Sequence, residues 1–145
     1  MRRTFLLAGV LLCVVALGSD SPKEYDDRTE RDELQGRWQL IEVSLNGLKQ
    51  GVDFQELMTY RAGAYTYQCD NKTIRSGNYR IDTASNPHHL DEIPSNPSRW
   101  AHLSKRIYII DGDTLRVAFR PDDGSRRPER FDDKILFVWT YKRVK

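Results

Sequence analysis

Leu34-Gln35-Gly36-Arg37-Trp38 places a Gly-x-Trp at the mouth of the first strong β-strand pattern, and the chain ends on another strand pattern that carries Lys142 and Arg143. Glycine lets backbone approach closely, and the two strand patterns bracket the domain as the first and last strands of a small barrel would. What lies between these two points fits such a barrel. Residues 39–45 read as a strand, and Asn46-Gly47 is a strong turn signal. Residues 64–69 alternate, with Tyr65 and Tyr67 on one face, and Asp70-Asn71-Lys72 turns the chain. Residues 73–82 follow, with Tyr79 and Ile81 sharing a face. After a long Pro-rich segment over 83–104, with one short strand around Leu90, residues 106–110 and 114–120 flank the tight turn Asp111-Gly112-Asp113. Residues 135–142 are apolar on both faces at first, which predicts a central or covered strand. Asp53-Phe54-Gln55-Glu56 fits a capping box and predicts a short helix through Leu57 or Met58. Seven or eight short strands, without an internal repeat or a βαβ rhythm, predict an all-β, antiparallel up-and-down barrel with that one short helix.

One conflict marks the first strand. Trp38 and Leu40 share a parity with Glu42 and Ser44, whereas Ile41, Val43 and Leu45 make the apolar face. Either a bulge shifts the register near Leu40, or Trp38 sits at the end of the barrel and not in its wall. The second option suits the Gly-x-Trp better.

Residues 1–18 read as an export signal. Arg2 and Arg3 precede an apolar run over 5–17, and Ala16-Leu17-Gly18 offers small residues where a signal peptidase reads. The expected location is periplasmic or extracellular. Retention of this segment as an anchor is the alternative, although spanning a bilayer takes about 20 apolar residues. Cleavage removes Cys13 and leaves Cys69 alone, so no intramolecular disulfide is expected and the core must carry the stability. It also removes two arginines, leaving 21 basic against 21 acidic side chains. That balance argues against nucleic acid or an anionic membrane surface as a partner. Residues 19–33 are acidic, carry almost no apolar side chain, and read as a solvated linker ending in a helical turn near Leu34. Residues 34–145 suit one domain.

The domain resembles a lipocalin-like family abundant in planctomycete bacteria, one with no established activity. The resemblance rests on Leu34-Gln35-Gly36-Arg37-Trp38, Asn46-Gly47, Gly77-Asn78-Tyr79-Arg80-Ile81-Asp82 and Tyr108-Ile109-Ile110-Asp111-Gly112-Asp113-Thr114-Leu115. Arg127-Pro128 followed by Phe131, and the terminal Tyr141-Lys142-Arg143, complete it. It implies an exported β-barrel. The family often has a cysteine in the strand after the Asp-Gly-Asp turn, where this chain has Ala118 near the expected place. In true lipocalins, a more distant likeness, the Trp packs under a basic residue of the last strand. That likeness implies structural closure by Gly36, Trp38 and Arg143 (or Lys142).

The chemistry legible in the chain is sparse. His88, His89 and His102 lie in or beside the long segment with Asp91 and Glu92, ligand types that zinc uses. Their spacing matches no metal motif, and adjacent histidines on a strand point to opposite faces. Cys69 precedes Asp70, whose charge blunts a thiolate nucleophile, and no Gly-x-Ser-x-Gly or Gly-rich phosphate loop is present. The paired aspartates sit in turns, where turn chemistry accounts for them. Arg116, Arg120, Arg126, Arg127 and Arg130 could form an anion patch, hold the acidic linker, or simply solvate a face. Tyr60, Tyr65, Tyr67 and Tyr79, with Trp100, line a ligand cavity or form plain core.

The sequence therefore predicts a non-enzymatic, exported binding module that needs no cofactor or metal. Its ligand residues are Tyr65, Tyr67, Tyr79 and Trp100, and its partner is a small molecule or an envelope protein. No stable membrane insertion is expected once the signal is cleaved. One alternative is a protein- or envelope-interaction domain with a filled barrel. A weaker one is a metal-dependent hydrolase on the His-bearing segment. Any ligand site belongs at the end of the barrel opposite Trp38.

Overall fold

The computed structural model describes residues 33–97, 103–121 and 125–145. The segment read as an export signal, nearly all of the segment read as an acidic linker, Trp100 and His102 lie outside these residues. Nine strands run in chain order: β1 (Gly36–Leu45), β2 (Leu48–Gly51), β3 (Glu56–Arg61), β4 (Ala64–Cys69), β5 (Lys72–Asp82), β6 (His88–Pro94), β7 (Ser104–Asp111), β8 (Thr114–Phe119) and β9 (Phe137–Val144). From β3 to β9 each strand pairs antiparallel with the next, and β9 pairs with β1. β1 is long enough to hold two neighbours on one edge, β3 along its first residues and β2 along its last. The eight strands β1 and β3–β9 thus close an antiparallel barrel, with β2 as an added flap. No helix among the described residues is long and apolar enough to cross a membrane.

The turn chemistry follows the sequence. Asn46 (φ 52°) and Gly47 (φ 81°) both adopt the positive φ of a type I′ hairpin, whose twist matches that of the flanking strands. Asp70 and Asn71 do the same between β4 and β5. The expected helix near residues 53–58 is absent: Glu56, Leu57 and Met58 begin β3, paired with Cys69, Gln68 and Tyr67. Two adjacent strands supply a full hydrogen-bond ladder there, and that outweighs a local capping pattern. Glu33 and Leu34 are helical.

The parity conflict in β1 is resolved by a bulge. Register against β9 shifts between Leu40 and Glu42, so Ile41 is the extra residue. Before it, Trp38 and Leu40 are buried in the core; after it, Val43 packs on the same core and Ile41 is left 47% exposed. The bulge is therefore real, and Trp38 also belongs to the wall, paired with Met58 and Arg143.

The inside of the barrel holds the main core, which includes Leu34, Trp38, Met58, Tyr60, Leu90, Tyr108, Leu115 and Tyr141. A second cluster lies on the outer face of β7–β9, where Ile107, Ala118 and Val138 meet Phe131 and Leu136 from the β8–β9 connection. β9 is covered on both faces, as its composition requires. That connection is fastened by Arg127, whose Nη2 donates to Asp91 Oδ1 (2.6 Å) and whose Nη1 donates to the Arg106 carbonyl (2.6 Å). Arg116 stacks 4.9 Å over the Phe131 ring.

Candidate functional site

The closed end of the barrel is built from the opening motif. Gly36 has φ 132°, and a Cβ there would come within 2.9 Å of Arg143 Nη1. Its missing side chain lets Arg143 from β9 cross over β1. The guanidinium lies 4.1 Å from the Trp38 ring centroid, and Trp38 Nε1 donates to the Leu34 carbonyl at 2.8 Å. Gly36, Trp38 and Arg143 therefore meet at this end of the barrel.

The other half of the interior is polar. Glu56 opens β3, Tyr67 and Arg75 lie near the β4–β5 turn, and Glu92, Ser104 and Arg106 flank the β6–β7 connection. Glu92 is fully buried at 1% exposure and is the hub. Its Oε1 accepts from the Tyr60 hydroxyl at 2.7 Å, and its Oε2 accepts from Arg106 Nη2 at 2.8 Å and Arg75 Nη2 at 3.2 Å. Arg106, 2% exposed, also donates through Nε to Ser104 Oγ at 3.0 Å. A buried ion pair persists only when further hydrogen bonds support it, as the Tyr60 hydroxyl and Ser104 Oγ do here. The Tyr67 hydroxyl hydrogen-bonds the Glu56 carboxyl, and burial holds that carboxyl above its usual pKa. Burial, with help from Glu56, drives the Tyr67 hydroxyl far above its ordinary value as well.

Aromatic rings wall this cluster. Tyr67 and Trp139 stack with centroids 6.0 Å apart, and Phe119 meets Trp139 edge-on at 4.9 Å. Arg106 lies 4.7 Å over Phe119, and Arg75 lies 5.7 Å over Tyr67. Tyr60 and Tyr79 meet edge-to-face at 5.1 Å. Several buried atoms here have no hydrogen-bond partner among the described residues: Glu56 Oε1, Tyr65 Oη, Arg75 Nε, Arg106 Nη1 and Tyr141 Oη. A buried polar atom without a partner costs about 1–3 kcal/mol.

Of the ligand residues expected from sequence, Tyr65, Tyr67 and Tyr79 are brought together inside the barrel, and Trp100 lies outside the described residues. Arg75, Arg106 and Trp139 were missed, and Glu92 was read only as a zinc-type ligand beside the histidines. The signal was present as strand parity: Arg106 alternates with Tyr108 and Ile110, Glu92 with Leu90, and Arg75 with Gly77 and Tyr79. A charge that keeps step with apolar neighbours on one face marks a buried charge.

The remaining candidates disperse. His88 Nδ1 lies 2.9 Å from the Ser85 carbonyl, with its ring against Tyr108. His89 instead faces Asp82, with Nδ1 3.5 Å from Oδ2. No cluster of three His, Cys, Asp or Glu side chains suited to a metal ion occurs among the described residues. The arginine cluster divides, because Arg127 is consumed by Asp91 and Arg130 pairs locally with Asp132 at 2.8 Å. Cys69 is a free thiol, held above its usual pKa by burial and by Asp70. On the outer face, a groove of about 920 Å³ runs between the β1–β2 hairpin and residues 131–136.

No family model, curated protein or solved structure matches the chain.

Proposed function

We propose that this chain is an exported, non-enzymatic, lipocalin-like binding module that captures a small molecule in the half of the barrel opposite Trp38. One observation carries the reading: buried donors on Arg75, Arg106, Tyr65 and Tyr141 lack partners among the described residues, inside an aromatic wall. A pocket with an apolar wall and a few convergent polar groups is what ligand capture uses, and a ligand would supply the missing partners. Export is supported by Arg2, Arg3 and the apolar run over 5–17. Membership of the planctomycete lipocalin-like family is part of the same proposal and is supported by the barrel closed over Gly36-Arg37-Trp38.

Native mass spectrometry of the protein purified from its own envelope tests this reading. A small-molecule adduct that is lost on denaturation is the expected result. The bare mass, with the interior atoms protected from exchange by packing alone, would sink it. A protein- or envelope-interaction role is the second reading. It is favoured by the outer groove, whose lining includes Ile135 at 58% exposure, and a co-purified protein partner would support it.

A further inference from the structure

We propose that the end of the barrel opposite Trp38 is a lipid-docking surface. It seats the protein mouth-down on a phospholipid bilayer through six apolar side chains: Leu45, Leu48, Phe54, Ile74, Leu103 and Ile135. This inference goes beyond ligand capture and does not rest on it.

In an up-and-down barrel, alternate connections open onto the same end. The stretch that joins β1 to β3 and the β4–β5, β6–β7 and β8–β9 connections therefore share the end away from Trp38 and Arg143. Leu45, Leu48 and Phe54 belong to the first of these, and Ile74 lies just past the second. Leu103 leads into β7, and Ile135 leads toward β9. All six are exposed, Leu48 by 76% and Ile74 by 57%. Among the described residues, the other large exposed apolar side chains are Ile41, at the bulge in the wall, and Val144 at the closed end. The connections at the closed end, Ala62-Gly63, residues 83–87 and the turn at Gly112, carry none. Apolar side chains scattered over a surface need no explanation, but a set gathered at one end does.

A fluid lipid surface fits this arrangement better than a folded partner. The tips come from four separate connections around the ring, whereas a stable protein interface takes a contiguous patch of about 800 Å² on each side. A bilayer accepts each tip on its own. Lysines also accompany the tips. Lys49 follows Leu48, Lys72 stands two residues before Ile74, Lys105 two residues after Leu103, and Lys134 directly before Ile135. Such a lysine lays its stem along the apolar layer and leaves its ammonium at the level of the lipid phosphates. Acids stand at this end too. Glu42 is held by Lys49 at 3.2 Å and Asp132 by Arg130, and Asp133 accepts the amides of Glu129 and Arg130. Asp53 and Asp70 remain exposed, so the mouth carries no strong net charge. Seating then depends on apolar tips and on contacts with phosphate, not on a negatively charged membrane, and the barrel lies on the surface without spanning it.

Flotation of the protein purified from its own envelope, with vesicles of phosphatidylcholine alone or with one quarter phosphatidylglycerol, tests the seating. Binding to both is expected. Leu48→Ser and Ile74→Ser are each expected to weaken it about tenfold, because each removes apolar surface that the bilayer would bury. Ile41→Ser and Val144→Ser remove exposed apolar side chains away from the mouth and are expected to change nothing. All four positions are exposed, and a thermal melt of each variant checks that it folds. Lys49→Gln combined with Lys134→Gln is expected to weaken binding severalfold. Equal losses from the mouth pair and from the control pair overturn the mouth-down seating, as does binding that requires phosphatidylglycerol or no binding to either vesicle. A dimer that Leu48→Ser dissolves, without vesicle binding, assigns the mouth to a second copy of the chain and overturns it too. Ligand capture stands or falls separately, on the native mass spectrum.

Discussion

Arg143 lays its guanidinium 4.1 Å from the Trp38 ring centroid while donating to the Gln35 carbonyl at 2.8 Å and the Glu33 carbonyl at 2.6 Å. One side chain from the last strand thereby ties together the first strand, its entry turn and the residue that fills the closed end. Trp38→Ala is expected to lose about 3–5 kcal/mol, as for a fully buried tryptophan. Arg143→Met is expected to lose about 1–3 kcal/mol, from the cation–π contact and the charge-assisted bonds. Urea unfolding of both variants checks this, and an unchanged midpoint for Trp38→Ala would refute the closure.

Tyr60 and Tyr65 face each other across β3 and β4 yet differ in one respect. The Tyr60 hydroxyl donates to the buried Glu92, whereas the Tyr65 hydroxyl has no partner among the described residues. Tyr60→Phe should cost about 1–3 kcal/mol, because a buried carboxylate loses a donor. Tyr65→Phe should be neutral or stabilising in the ligand-free protein. Thermal melts that rank the two variants the other way would contradict the hydrogen-bond assignment.

Glu56 makes stability depend on pH. Burial raises its carboxyl above the ordinary value near 4.5, against the lowering effects of the Tyr67 hydrogen bond, Arg106 and Arg75. The folded chain thus holds this proton more tightly than the unfolded chain does. The stabilisation is complete below pH 4.5 and is lost as pH rises through the folded-state value. Glu56→Gln, which stays neutral, should therefore gain stability relative to the wild type as pH rises from 4.5 toward 7. A constant difference between the two across that range would count against a raised Glu56.

Ile135 has φ 61°, a conformation that β-branched residues rarely adopt, and its side chain is 58% exposed. The strain costs about 1–2 kcal/mol. Ile135→Asn is expected to raise stability by about 1 kcal/mol, because asparagine tolerates this region and little packing is lost. Guanidinium unfolding measures it, and a drop in stability would show that the exposed isoleucine packs more than its accessibility suggests.

The barrel was readable from the chain because its turns are local chemistry. Asn46-Gly47 and Asp70-Asn71 specify positive φ without help from the rest of the fold. The odd parity at Trp38 was also readable, although choosing between a bulge and an end position required the pairing with β9. The segment beginning at Asp53 misled for the opposite reason: it satisfies a helix start in isolation, and only the ladder to β4 makes Glu56 a strand residue facing the interior. The tyrosines of the candidate site were visible as an alternating stripe. Glu92 and Arg106 were not, because each stands next to another charge in its strand, Asp91 and Lys105, and only the β6–β7 alignment shows that the two meet. Gly77 gained its reason from structure as well, since a Cβ there would drive into the Ile93 carbonyl.

The pairing of β1 with β9 has a consequence for folding. It joins the first strand of the domain to the last, from Arg37 with Val144 to Leu45 with Phe137. The other ladders of the barrel link neighbours in sequence, apart from β1 with β3, which skips only the short flap. Meander hairpins form early at low entropic cost, whereas a contact spanning nearly the whole domain must bear the full cost of loop closure. Until that last ladder zips, β1 and β9 each present an open edge, and Trp38 has neither Arg143 above it nor a finished wall around it. The seam between the two strands is where a slow-folding chain of this kind is open to pairing with a second molecule, and Arg143 is the fastening that shuts it.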